Sequence, residues 1–249
     1  MTHEQLFFTL HEGLPRQGPG SDARTHKALE SVVLDTKAPN ILDIGCGPGM
    51  QTRVLARRFP EGTVTAVDLY QLFLDQLQDS VKQEGLSNIS LLRASMDDLP
   101  FEPESFDLIW SEGAAYIMGF PQALEYWHQF LKPGGYCGVS ELCWLKHNPP
   151  KKLRDFWEAG YPAITDIQGN IQHITSAGYE LITSFILPSK DWETHYYTPL
   201  LERIAEWRQD PDLTPEAAQV LHEEEEEISI FRTYRRWYSY VFFIMKKLK

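Results

Sequence analysis

From Ser21 onward, short apolar runs alternate with stretches in which apolar residues recur every three or four positions. Ile41 to Ile44 is a run of the kind found in strands covered on both faces. Thr63 to Asp68, Ile89 to Ala94, Phe106 to Trp110, Tyr136 to Leu142, Tyr179 to Leu187 and Tyr240 to Met245 read as further strands. Helical patterns lie between them. Ser21 or Asp22 caps a segment reaching Leu34, Met50 to Phe59 follows the first strand, and Phe73, Leu77 and Val81 fall at helical spacing after the second. Leu124, Trp127 and Leu131 mark another helix, ending at the turn Lys132-Pro133-Gly134-Gly135. Strand and helix in alternation predict an α/β fold built on a doubly wound sheet.

After Pro188 the alternation breaks. About fifty residues separate the last two strand patterns, too many for a structureless loop, so helices are expected there. Thr214-Pro215-Glu216 reads as an N-cap and first turn, and Tyr197, Leu200, Leu201, Ile204 and Trp207 form an earlier apolar stripe. Such a stripe serves a lid, an oligomer contact or a buttress on the sheet edge. Neither a repeat nor a linker divides the 249 residues into two folding units.

Composition narrows the function classes. An apolar share of 43% suffices for a sizeable core, while a net charge of -12 argues against nucleic acid, whose binders need Lys and Arg against phosphate. Three cysteines without a C-x-x-C pair fit a reducing, cytoplasmic setting and give neither a disulfide frame nor a zinc site. Met1 to Leu14 has acids and no basic stretch of the kind that opens a secretory signal. The longest apolar run, Tyr240 to Met245, is too short to span a bilayer. A small-molecule partner is expected, with no nucleic acid and no membrane insertion.

The candidate chemistry gathers where the first strand meets Gly45-Cys46-Gly47-Pro48-Gly49. Glycines let the backbone turn sharply and approach a ligand with no Cβ in the way, and the following helix aims its first N–H groups over the loop. Asp68, at the tip of the second strand, is placed to take both hydroxyls of a ribose. A dinucleotide fingerprint needs a third glycine where Met50 stands, and Asp43 inside the strand would repel a pyrophosphate. A P-loop needs a Lys that Gly-Cys-Gly-Pro-Gly-Met-Gln-Thr lacks. The two acids suit an adenosine-bearing ligand with positive charge, such as an α-ammonium or a sulfonium.

The run Leu42-Asp43-Ile44-Gly45-Cys46-Gly47-Pro48-Gly49, with Val67-Asp68 after it and Leu131-Lys132-Pro133-Gly134-Gly135 later, resembles the class I S-adenosylmethionine-dependent methyltransferases. The likeness is nearest to the small-molecule enzymes related to quinone biosynthesis, good from about Ser21 to Trp144 and looser beyond. It implies a Rossmann-like, seven-stranded sheet, mostly parallel, with an antiparallel last strand in an edge hairpin. It also implies S-adenosyl-L-methionine as cofactor, S-adenosyl-L-homocysteine as product, and in-line methyl transfer to a small or medium organic acceptor. The chain then reads as one methyltransferase domain: a helical cap (1–36), a cofactor-binding core (37–187), a helical insertion where the family has a short turn (188–239), and a final strand (240–249).

Within this reading Asp43, Gly45, Cys46, Gly47 and Gly49 surround the methionine moiety and Asp68 holds the ribose. Leu69 and Met96 pack on the adenine, Asp97 accepts from its amine, and Ser111 lies near the methyl. Glu112 and Tyr116 are the catalytic candidates, a base being needed only if the acceptor arrives protonated. Aligning nucleophile and methyl supplies much of the rate without one. Glu141, Trp144, Trp192 and His195 are candidates for the acceptor site, with Tyr196 and Tyr197 in the same aromatic cluster able to wall it or to stack on a cation. The loop from Arg16 to Ser21 is a candidate to close over the cofactor. His147 reads as a loop residue, Asn148-Pro149-Pro150-Lys151 as a loop, and His222 to Glu227 as the solvated face of a helix. No metal is expected. Two alternatives stand beside the methyltransferase: an NAD(P)-linked oxidoreductase, and a non-catalytic protein that keeps the fold and the cofactor pocket.

Overall fold

A computed structural model describes residues 1–248. Its strands are β1 (Asn40–Ile44), β2 (Thr63–Asp68), β3 (Ile89–Arg93), β4 (Phe106–Glu112), β5 (Leu131–Trp144), the two-residue β6 (Thr165–Asp166), β7 (Tyr179–Ile186) and β8 (Tyr238–Lys247). They form one sheet in the order β3-β2-β1-β4-β5-β8-β7, with β6 on the end of β5. The first five strands pair in parallel. Only β8 is antiparallel to its neighbours, β5 and β7, so the implied seven-stranded sheet with a reversed last strand is present, extended by β6.

Successive side chains of a strand point to opposite faces, and the sheet uses this to feed two cores. Ile41, Val64, Leu108 and Trp110 enter one and Leu42, Ile44, Val67 and Ile109 the other. The helices are α1 (His3–His11), α2 (Asp22–Leu29), α3 (Met50–Arg58), α4 (Gln71–Glu84), α5 (Phe120–His128), α6 (Lys151–Gly160), α7 (Ile167–Ser176), α8 (Ser189–Trp192), α9 (Thr198–Trp207) and α10 (Pro215–Tyr234). On α4, Phe73, Leu77 and Val81 are all buried. The insertion is helical, and Thr214 caps α10 by accepting from the Ala217 N–H at 3.2 Å.

Several boundaries differ from the sequence reading. Leu131 opens β5 and is not helical; α5 stops at His128. Phe106 pairs with Leu131 while Leu108 pairs with Tyr136, so Lys132 to Gly135 form a bulge inside a strand. Helix α2 stops at Leu29, before the β-branched pair Val32-Val33. Helices α1, α6 and α7 have no counterpart among the expected elements. Helix α1 matters most. It packs on α9 and α10, placing Leu6 and Leu10 in one core with Ile204 and Leu221. The insertion thus buttresses the N-terminal helix.

Candidate active site

The sheet order runs away from β1 in both directions, through β2 on one side and β4 on the other. Crossovers leaving to opposite faces open a crevice above the carboxyl ends of β1 and β4, where ligands of open α/β sheets bind. The loop after β1 forms its floor. The N–H groups of Gly45 and Cys46 both donate to the Val67 carbonyl (2.9 and 3.0 Å), and the Gly47 N–H donates to Asp68 Oδ2 at 2.8 Å. These N–H groups are committed to β2, while the Cys46 carbonyl accepts from Gln51 Nε2 (2.9 Å) and the Gly49 N–H (3.1 Å). Gly45 has φ +68, and a Cβ there would lie 2.5 Å from the Ala114 Cβ. Only glycine joins β1 to the loop this close to the segment after β4.

Above the loop is a cleft of about 380 Å³, within the range of small-molecule sites. Asp68 is a wall residue, 8% exposed; its Oδ1 accepts from the Tyr70 N–H at 2.9 Å. Burial raises its pKa. Leu69 and Met96 supply apolar wall. Residues 7–18 form the roof, through Phe7, Phe8 and the Pro15-Arg16-Gln17-Gly18 turn. Phe8 lies against Tyr70, ring centroids 3.7 Å apart, and Tyr70 Oη donates to Glu4 at 2.9 Å.

Arg16 pins this roof. Its Nη2 donates to Glu112 Oε2, and both side chains are at least 95% buried. Glu112 Oε1 accepts from Thr25 Oγ1 (2.6 Å) and Trp110 Nε1 (2.9 Å). Three protein donors therefore occupy the carboxylate, which lies on the cleft wall. Arg16 Nη1 is buried with no protein partner and belongs to a residue that lines the cleft. Unpaired buried donors are uncommon; this one suits an anionic group on a ligand.

The structure brings together Gly45, Cys46, Gly47, Asp68, Leu69, Met96, Glu112 and Tyr116 on the cleft. Others lie off it. Asp43 is fully buried beneath the loop, accepts from Thr52 Oγ1 at 2.5 Å, and is pushed up to about 7 by burial. Gly49 is the left-handed residue before α3. Asp97 is exposed, held by Ser95 Oγ at 2.5 Å. Ser111, alternating with Glu112 along β4, is buried away from the cleft. Trp144 packs on Tyr238, and Trp192 stacks on Phe231 at 4.4 Å while donating to Ser239. These rings close the core behind the site. His195 is half-buried and off the cleft, and His147 is exposed. The His222 to Glu227 run is only partly solvated: Glu224 is buried, in phase with Leu221 and Ile228 on α10. That phase, acids at i and i+3 within an apolar stripe, is the signal the composition of the run conceals.

Glu141 is fully buried at the end of β5, and neither oxygen has a hydrogen-bond partner. Burial pushes it up to about 8. Its folded pKa lies above the unfolded value, so the folded state holds the extra proton and stability falls as pH rises from about 4.5 to about 8. Thermal melts should show Glu141→Gln matching wild type at pH 5 and melting higher at pH 9. Equal melting temperatures at pH 9 would contradict this.

Comparison with known proteins locates the same region. Residues 41–135 match the family described as a methyltransferase domain. The trans-aconitate 2-methyltransferase of Deinococcus radiodurans is 32% identical over 121 residues, 47% of this chain and 44% of the relative. The demethylmenaquinone methyltransferase of Listeria welshimeri is 33% identical over 101 residues, 40% of this chain and 43% of the relative. The chain thus matches less than half the length of these two curated relatives. A methyltransferase of Geobacter sulfurreducens, solved with S-adenosyl-L-homocysteine, superposes with a TM-score of 0.83 at 17% identity, over 97% of both chains. That likeness shows a common fold.

Proposed function

We propose that this chain, whose residues 41–135 match the family described as a methyltransferase domain, binds S-adenosyl-L-methionine in the cleft above β1 and methylates a small or medium organic acceptor. One observation carries the reading: a wall carboxylate and an unpartnered buried guanidinium nitrogen share a single cleft with a glycine floor. Those features fit a ligand with a ribose at one end and an amino-acid group at the other. Asp68 would accept from the ribose hydroxyls, Leu69 and Met96 would flank the base, loop carbonyls would meet the ammonium, and Arg16 the carboxylate.

When bound, the cofactor supplies a methyl carbon on a cationic sulfur that departs with the C–S electron pair. The chain contributes alignment and exclusion of water. Phe7 and Phe8 close the roof, and the Arg16–Glu112 pair fixes it to β4. A net charge of -12 and three buried unpaired thiols support a small-molecule acceptor and a cytoplasmic setting.

Calorimetry with S-adenosyl-L-homocysteine, NAD and NADP tests the reading. The homocysteine compound should bind and both dinucleotides should not; the reverse would establish the oxidoreductase. Bound cofactor with no methyl transfer across a broad acceptor panel would favour the non-catalytic alternative.

A further inference from the structure

We propose that Thr25, Trp110 and Glu112 are positioning residues that keep one arm of the Arg16 guanidinium open for the carboxylate of a bound S-adenosyl amino acid, and so make the cleft select nucleosides that carry that group; this rests on the cofactor reading above. Each acts through Arg16.

A guanidinium and a carboxylate commonly pair through two parallel N–H···O bonds, fork on fork. The pair between Arg16 and Glu112 makes only one, from Nη2 to Oε2. The reason lies on the other oxygen. Glu112 Oε1 already accepts from Thr25 Oγ1 at 2.6 Å and from Trp110 Nε1 at 2.9 Å. Its lone pairs are taken, and it is denied to the guanidinium. Arg16 Nη1 is left without a protein partner although its side chain is only 5% exposed. A pair that served only to fasten the roof would be stronger with both arms closed, and an open buried donor costs free energy. Thr25 and Trp110 therefore hold open a donor that the fold itself does not use.

The supports come from separate elements. Trp110 lies on β4 and Thr25 on α2, and both are fully buried. Gly20 lies against the guanidinium, where a Cβ would stand 2.5 Å from Nη2; bare backbone lets the fork lie this close. Held from these sides, the open nitrogen has a fixed direction before any ligand arrives, which lowers the ordering cost of binding. Arg16 and Glu112 both line the cleft, so the open arm belongs to the wall that a ligand meets.

Calorimetry with S-adenosyl-L-homocysteine and S-adenosyl-3-thiopropylamine, which lacks only the carboxylate, tests this. Wild type, Thr25→Val, Thr25→Ser and Glu112→Gln are compared, with melting curves reporting whether each folds. Wild type should prefer the carboxylate compound by about tenfold or more, the worth of one charge-assisted hydrogen bond. In Thr25→Val the freed Oε1 can turn toward Nη1, and the preference should fall by about threefold or more. Thr25→Ser restores the hydroxyl and should keep the preference. In Glu112→Gln the amide sets N–H groups against donors, and the preference should shrink to about threefold or less. A loosened roof would weaken both nucleosides together. An unchanged ratio in Thr25→Val and Glu112→Gln would therefore overturn the proposal. Should Glu112→Gln fail to fold, the two Thr25 variants decide alone. If wild type binds both nucleosides equally, the inference fails and the cofactor reading stands; if it binds neither, both fail.

Discussion

Asp68→Ala should weaken S-adenosyl-L-homocysteine binding by about 100-fold or more. A carboxylate accepting two ribose hydroxyls makes two charge-assisted hydrogen bonds, each worth ~1.5–3 kcal/mol. The substitution has a second cost, because Asp68 also organises the floor by accepting from the N–H groups of Gly47 and Tyr70. Without those bonds the loop after β1 is tied to β2 only through the Gly45 and Cys46 N–H groups on the Val67 carbonyl. Asp68→Asn should fall between, since an amide keeps one acceptor oxygen but presents N–H to groups that are themselves donors. Calorimetry of the three proteins checks the series; affinities within twofold of one another would remove Asp68 from the site.

Arg16→Met should destabilise the fold by about 3–5 kcal/mol, the range for stripping one partner from a buried ion pair. Glu112 would retain Thr25 and Trp110 as donors but would face a hydrocarbon where the guanidinium stood. The roof would loosen with it, because Arg16 is the link between the segment over the cleft and β4. Combining Arg16→Met with Glu112→Gln should recover part of the loss, since no uncompensated charge remains. A denaturant-melt double-mutant cycle measures this. Strict additivity would mean that the pair is not coupled. For the cofactor, Arg16→Met should also lower affinity, through the nitrogen that now has no protein partner.

Much of this architecture could be read from residue pattern because the governing signals are local. Ile41 to Ile44, the loop glycines and Asp68 lie within one β-α-β unit, and each element is set by its own sequence. Phe73, Leu77 and Val81 face inward on α4 as their spacing demands. The bulge at Lys132 to Gly135 was hidden because Pro and two glycines signal a turn whether or not the strand resumes in register.

Site residues were legible only where a strand end fixes them. Gly45, Gly47 and Asp68 reach the cleft by topology alone. Ser111 and Glu112 are neighbours, and which faces the cleft depends on a one-residue phase. The partner of Glu112 lies 96 positions earlier, a distance that no pattern in a single sequence spans. Trp192 is an aromatic that packing claims, and its stack on Phe231 requires α10 to return over the sheet. Glu224 and Glu227 sit in a run of five consecutive glutamates, where net charge speaks of solvent and only helical phase reveals that some point inward.

A crystal structure with S-adenosyl-L-homocysteine bound is the most direct test of the cleft's role. The ribose hydroxyls are expected within hydrogen-bond distance of the Asp68 carboxylate, with the ligand's own carboxylate on Arg16 Nη1. A nucleoside bound outside this cleft, or a ribose turned away from Asp68 with Arg16 still unpartnered, would contradict the assignment.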